Sequence, residues 1–497
     1  MIKHLHKTFT KAVTTFTAVG IVALMGTNAL LSQEVDRNAR LLQTQEDITW
    51  LMNEFHAASG IPGVSLAIGY GSNILLEKGF GLSDISGEKP VLPSTRFRLG
   101  EVGTLFTASA IMKLVSEGRV DLDADVRKYV PEFPQKRGAV TIRQLLSHTG
   151  GITHFDFNDY NRGQKHIKTL REALKQFSVR PLLSNPGSRY VYSSYGYVLL
   201  GLVIENVTGQ SYDSFLNAAI LSPLLINDLH FDNAGNRPDS ETKFYNRFEE
   251  TAEVAAERDF SYVKPAAGIN GTPASVVKLL ASYWSGLILD PVEWIKMLKA
   301  VPFSDKARQN LDFDPALAWR LSRTRDNDLF FHMDGKTIGS TSAYLSYPRY
   351  GLHVAYAANA RADLDARHTS ETLVEPMRLF VKEDYNFPQD CPVGVYEYRG
   401  NFGAEFTKGQ MTIVDEGARC TGLIETPGQF RARFISKGAP LPDQLKLLRL
   451  SHDENGHTFA VVTPLGLYQI PFKNRENGLK GALTLAGNVT WVISAEK

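Results

Sequence analysis

The stretch FRLGEVGTLFTASAIMKLV (Phe97–Val115) decides how the rest of the chain is read. An extended pair is followed by a glycine, a tight turn and an amphipathic helix. Leu105, Ala108, Ile111, Met112 and Val115 fall on one face of that helix, and Gly118 stops it. Many enzymes present a nucleophile with this local geometry, at the N-terminus of a helix. At the turn, however, the chain offers Glu101, Val102, Gly103 and Thr104, with neither serine nor lysine. A carboxylate is locally favoured there, because free backbone N–H groups and the helix dipole stabilise it by about 0.3–1 kcal/mol.

Outward from this turn, 497 residues predict more than one domain. Hydrophobic content of 43% and charged content of 22% describe a folded globular chain. The net charge of +1 gives no electrostatic case for nucleic acid. The start is asymmetric. Lys3, Lys7 and Lys11 precede an uncharged run over 12–33, and acids return at Glu34 and Asp36. Residues 1–33 therefore fit a signal peptide or a membrane anchor, and both orient the remainder away from the cytoplasm. The expected location is exported, periplasmic or extracytoplasmic, with any inner-membrane attachment through residues 12–33. Residues 34–45 are polar and predict a linker. The two cysteines, Cys391 and Cys420, fit either a disulfide or two separate thiols.

VSLAIGY (64–70) and NILLEKGF (73–80) alternate around Gly71-Ser72 and predict a hairpin. TIRQLLSHTGG (141–151) predicts a short helix capped by Thr141. A buried helix follows Tyr192 and ends at Gly209, residues 230–262 read as a polar surface excursion, and a further helix covers about 273–287. DLFFHM (328–333), STSAYLSY (340–347) and LHVAYAAN (352–359) predict three antiparallel strands before a closing helix over 370–383. The economical architecture is α+β: one antiparallel sheet built from both ends of a unit spanning 46–385, flanked by helices. Residues 386–497 are short alternating runs cut by turns, a small all-β domain of barrel or sandwich type.

Five ordered segments carry a family resemblance: PGVSLAIGYG, the run from Ser94 to Phe133 containing the opening stretch, TIRQLLSHTGGI, YSSYGYVLLGLVIENVTGQSY and GKTIGSTSAYLSYP. Together they resemble the serine β-lactamase and penicillin-binding-protein family. The class C β-lactamase, D-aminopeptidase and esterase branch is the nearest in pattern. The resemblance implies a β-lactamase/transpeptidase-like fold. It also implies chemistry that needs a Ser-x-x-Lys at a helix start, a Tyr-x-Asn or Tyr-Ser-x element, and a strand with Lys-Thr-Gly or His-x-Gly beside an oxyanion hole.

Carried onto this chain, the resemblance places Glu101 on the serine and Thr104 on the lysine. Tyr192 falls on the tyrosine and Ser194 on the residue two further on. Counting back from Gly339 and Pro348 puts Met333 in the Lys or His slot, with His332 one residue early and pointing away from the site. A competing register reads GKTIG as a broken Lys-Thr-Gly, with Gly335, Lys336 and Thr337 at the site. Glu101, Thr104 and Tyr192 are thus the catalytic candidates, and Ser194, His332, Met333, Gly335 and Lys336 the binding candidates. A bond between Thr104 and Glu101 is expected from their spacing. No metal or cofactor is expected. His148, His154, Asp156 and Asp159 lack a ligand spacing. Asp121, Asp123 and Asp125 lack the glycine and distal glutamate of a calcium loop.

The expected function is that of a non-acylating homologue. Its old cleft holds a peptide, an ester or cell-wall-like small ligand, or an envelope protein partner. The alternative is a hydrolase of esterase, D-amino-acid peptidase or β-lactamase type working through Glu101 and Tyr192, with water activated by the glutamate. A third reading leaves the β-lactamase-like unit as scaffold and the C-terminal domain as the binder.

Overall fold

The computed structural model describes residues 35–497 except 157, 160–165, 234, 249–250, 305–310, 362–363, 383–390, 403–404, 429–430, 432–440 and 486–488. The expected signal or anchor segment lies outside the described residues, as does the start of the expected C-terminal domain at 386–390.

The segment expected as a linker is helical instead, in α1 (35–59). Ile48, Leu51, Met52 and Phe55 recur at helical spacing and are fully buried against the sheet. The polar residues before them extend the same helix, with Leu41 packed into that core. Strands β1 (Gly63–Tyr70) and β2 (Asn73–Asp84) then form the expected hairpin. Next come α2 (Thr104–Ser116), α3 (Ile142–Leu146) and α4 (Ser194–Thr208). Thr141 and Gln144 close a capping box on α3. α4 starts on the Ser193 side chain and ends at left-handed Gly209. After α5 (Pro273–Ser285) and α6 (Pro291–Met297) come β3 (Arg320–Arg323), β4 (Leu329–Thr337), β5 (Ser340–Tyr347), β6 (Leu352–Ala358) and α7 (Ala366–Val381).

The main sheet runs β2-β1-β6-β5-β4-β3, with two-residue edge strands Lys89–Pro90 and Asp314–Pro315. Strands from both ends of the unit meet where β1 pairs antiparallel with β6. One sheet face packs on α2, α4 and α5, with Phe331, Met333 and Tyr344 among the buried side chains. The other packs on α1 and α7.

The 230–262 segment is not wholly a surface excursion. It contributes short strands at His230–Phe231, Tyr245–Phe248 and Thr251–Val254, and buries Asp232 and Asp259. Asp232 faces a cation: Arg98, 1% exposed, stacks on Phe244 at 4.2 Å, and its Nε lies 3.5 Å from Asp232, while Asp259 lies 2.9 Å from His166 Nδ1. Charge inside the fold is tolerated when paired and hydrogen-bonded, which a hydropathy pattern does not reveal.

The C-terminal domain is a closed barrel of eight strands, β7 (Gly394–Phe402) to β14 (Val489–Glu496), around a filled core that includes Tyr396, Met411, Phe459 and Trp491. Cys391 and Cys420 form a disulfide, with Cα atoms 5.6 Å apart. The barrel docks by Leu448, Leu450, Val462 and Leu467 against the cluster containing Leu373, Val374 and Met377 of α7. That is the sheet face opposite the turn at Glu101.

Candidate active site

Gly100 to Gly103 form one 3-10 turn that runs directly into α2. Gly100 adopts φ +53°, a left-handed conformation that glycine tolerates freely. Strand β4 comes in against this turn very closely. A side chain at Gly335 would place its Cβ 2.6 Å from the Leu99 carbonyl oxygen and 2.8 Å from the Glu101 nitrogen. The Ser342 hydroxyl, from β5, donates to the same Leu99 carbonyl at 2.6 Å. Turn and sheet are thereby locked together.

The consequence falls on Glu101. The Lys336 N–H donates to its Oε2 over 2.6 Å, and its own backbone N–H also serves the carboxylate. Burial nevertheless dominates and pushes the carboxyl up to about 7. The two N–H groups pull it down, Asp334 adds to the rise, and Arg320 opposes it. Thr104 is fully buried, and its hydroxyl donates to the Glu101 backbone carbonyl at 2.6 Å. The proximity expected from the sequence is present, but the bond goes to the main chain. That donor is committed to closing the turn, not to the carboxylate.

Tyr192 packs its ring 4.3 Å from that of His148, and its hydroxyl is buried next to that of Ser194. Burial first, then the Glu101 charge, drives its pKa far above the usual tyrosine range. The Ser194 hydroxyl is fully buried at the start of α4 and pulls the Tyr192 pKa down against these two effects. The Ser194 N–H donates to His154 Nδ1 at 3.2 Å, and the Ser193 N–H to His148 Nδ1 at 3.3 Å. Both imidazoles are held neutral by burial, His148 down to about 3 and His154 to about 4. These histidines support the loop that carries Tyr192. Among the described residues no group of three His, Cys, Asp or Glu side chains could hold a metal ion.

On β4, Met333 is 1% exposed and runs into the core beside Tyr344, offering neither charge nor a strong hydrogen bond. His332 faces elsewhere, with Nε2 3.1 Å from the Ser322 hydroxyl, so it does not join Glu101. Gly335 contributes closeness, and Lys336 contributes its N–H. Two residues that the sequence reading did not single out complete the site. Arg320 on β3 donates to Asp334, and the pair acts on Glu101 from the rim. Asp334 stood inside the inspected motif, whereas Arg320 lies on a four-residue strand with no pattern of its own.

A fold of this kind, with a helix N-terminus pinned to an antiparallel strand, is that of the β-lactamase/transpeptidase class. The chain belongs to the β-lactamase family, whose match covers residues 48–375. It is similar to Protein flp of Staphylococcus aureus strain N315, 27% identical over 330 residues. That match covers 64% of each protein, so the chain spans somewhat under two thirds of that relative's length. It is also similar to the human serine beta-lactamase-like protein LACTB, mitochondrial, 25% identical over 246 residues, 36% of this chain and 44% of that one. The octameric penicillin-binding protein homologue from Pyrococcus abyssi shares the fold at a TM-score of 0.58 and 20% identity, covering 90% of this chain and 99% of that one. D-amino acid amidase from Ochrobactrum anthropi SV3 does so at 0.56 and 24%, covering 70% and 98%.

Proposed function

We propose that this chain is an exported β-lactamase-related protein that does not form an acyl-enzyme. Its cleft instead holds a peptide, a cell-wall fragment or an envelope protein. One observation carries the reading: the Glu101 carboxylate takes up two converging N–H groups, its own and that of Lys336. Acyl transfer needs such a pair free for the oxygen that becomes negative in the transition state. Here an internal carboxylate already sits on it. The Cys391–Cys420 disulfide supports export, since such bonds persist in oxidising compartments.

A second reading has one specific observation in its favour. A carboxyl near 7, whose charge is felt by the buried Tyr192 hydroxyl, suits a general base acting on water. It requires Glu101 to leave the N–H pair before a substrate carbonyl can enter. Intact-mass analysis of the purified protein after exposure to a fluorescent penicillin and to a fluorophosphonate tests for acylation, and an ester-turnover assay separates the two readings. No adduct is expected. A stoichiometric adduct overturns the non-acylating reading, and ester turnover that disappears in Glu101→Ala establishes the hydrolase.

A further inference from the structure

At one end of the main sheet the protein exposes four large apolar side chains from a single helical corner. Trp284 is 45% exposed, Leu287 62%, Val292 69% and Ile295 49%. Trp284 closes α5, and Val292 and Ile295 lie one turn apart on α6. Gly286 abuts Pro291, a Cβ there lying 3.7 Å from the proline Cδ, so the two helices meet at this corner. The Trp284 ring leans on the β5–β6 turn, where a Cβ on Gly351 would lie 2.8 Å from it. Arg349, 77% exposed, projects from the same turn. Of the nearby acids, Asp290 caps α6 and Glu293 is paired with Lys296. Single exposed apolar residues are ordinary, but four together, one of them a tryptophan, beside an exposed arginine whose Nη1 lies 3.7 Å from Asp328, mark an interaction surface.

The described chain begins at this same end. Gln45 of α1 donates to the Leu75 carbonyl, just past the β1–β2 turn. Leu41 packs in the cluster that includes Leu75 and Tyr350. The Arg37 guanidinium lies 5.8 Å from the Phe380 ring, near the end of α7. Immediately before this helix start, residues 12–33 carry no charge, which is about the length a spanning helix needs.

We infer that the corner formed by Trp284, Leu287, Val292 and Ile295 rests on a lipid bilayer surface. This rests on the reading of residues 12–33 as a retained membrane span. Tryptophan and arginine at the headgroup level, with aliphatic side chains below, are the chemistry of an interfacial contact. The strand register then gives the distance of Glu101 from this end. Glu101 meets the sheet at the row Gly335–Ser342–Ala357–Ser65, six residues along β1 from the turn at Gly71. At ~3.3 Å per residue that row lies about 20 Å along β1 from the turn at Gly71.

The test uses the full chain reconstituted into phosphatidylcholine–phosphatidylglycerol vesicles. Both native cysteines are tied in the disulfide, so Leu287→Cys accepts a single fluorescent label. Ile85→Cys, at the opposite end of β2, is the control. Headgroup-nitroxide lipid is expected to quench the label at 287 and leave that at 85 bright. Flotation of the protein with vesicles but no quenching at 287 overturns the bilayer contact while leaving the anchor in place. Failure to float overturns the anchor reading, and the contact with it.

Discussion

Replacing Glu101 by glutamine separates the charge of the site from its shape. The carboxyl is displaced from 4.5 to about 7, roughly 2.5 units, and at 1.36 kcal/mol per unit this is roughly 3 kcal/mol. The sign follows from proton binding. Between those two values the native state holds the proton more tightly than the unfolded state, so this group's contribution is fully present below pH 4.5 and is lost as pH rises through 7. Glutamine keeps an acceptor for the Lys336 N–H and cannot ionise. Urea unfolding of wild type and Glu101→Gln across pH 4 to 9 gives a difference in which every unchanged group cancels. Wild type should lose about 3 kcal/mol relative to the variant between pH 4.5 and 8. Stability profiles that stay parallel across that range would refute the account, because they would mean the carboxylate is no worse solvated in the fold than in water.

Gly335→Ala puts a methyl into the contact between β4 and the turn, 2.6 Å from the Leu99 oxygen. A loss of about 1–3 kcal/mol is expected in thermal unfolding, with the Glu101 carboxyl rising still further above its ordinary value as the Lys336 N–H, which pulls it down, withdraws, read by carboxyl NMR. Arg98→Met removes one of two guanidinium groups on the buried Asp232, leaving Arg237 with its Nη1 3.4 Å from the acid. The expected cost is about 1–3 kcal/mol, and a neutral result in denaturant titration would show that Arg237 alone neutralises the acid. Cutting the Cys391–Cys420 bond with serine at both positions reopens a loop of 29 residues. The barrel should lose about 3–4 kcal/mol, with reductant having the same effect on wild type. Glu101→Ser combined with Thr104→Lys should restore slow labelling by a penicillin if the cleft is otherwise intact. Absence of label would trace the remaining defect to Met333, which offers no cation where the resemblance calls for one.

Much of the fold was legible because its signals are local. The β1–β2 hairpin shows in alternation around Gly71-Ser72, α2 in its apolar stripe, and α3 in Thr141 three residues before Gln144. The barrel shows in short strands cut by turns. What escaped has non-local causes. The helix over 35–59 looked like a linker at its start because its apolar face begins in earnest only at Ile48 and is covered by the sheet. The 230–262 segment looked exposed because it is polar, yet Asp232 and Asp259 are buried through partners distant in sequence.

The same division runs through the site. Residues 97–104 are enough to show that a carboxylate, not a hydroxyl, heads the turn before α2, and the motifs around Tyr192 and Gly335 assign those residues to neighbouring elements. What that carboxylate does follows from the packed fold. Its partner N–H on Lys336 lies 235 residues away, and a glycine with no side chain lets the two segments touch. Arg320 arrives from a strand with no signature, and Thr104 spends its hydroxyl on a backbone carbonyl. Hydrogen bonds and desolvation depend on three-dimensional neighbours. A sequence names the groups that can ionise or donate, and packing sets which of them meet and at what pH they carry charge.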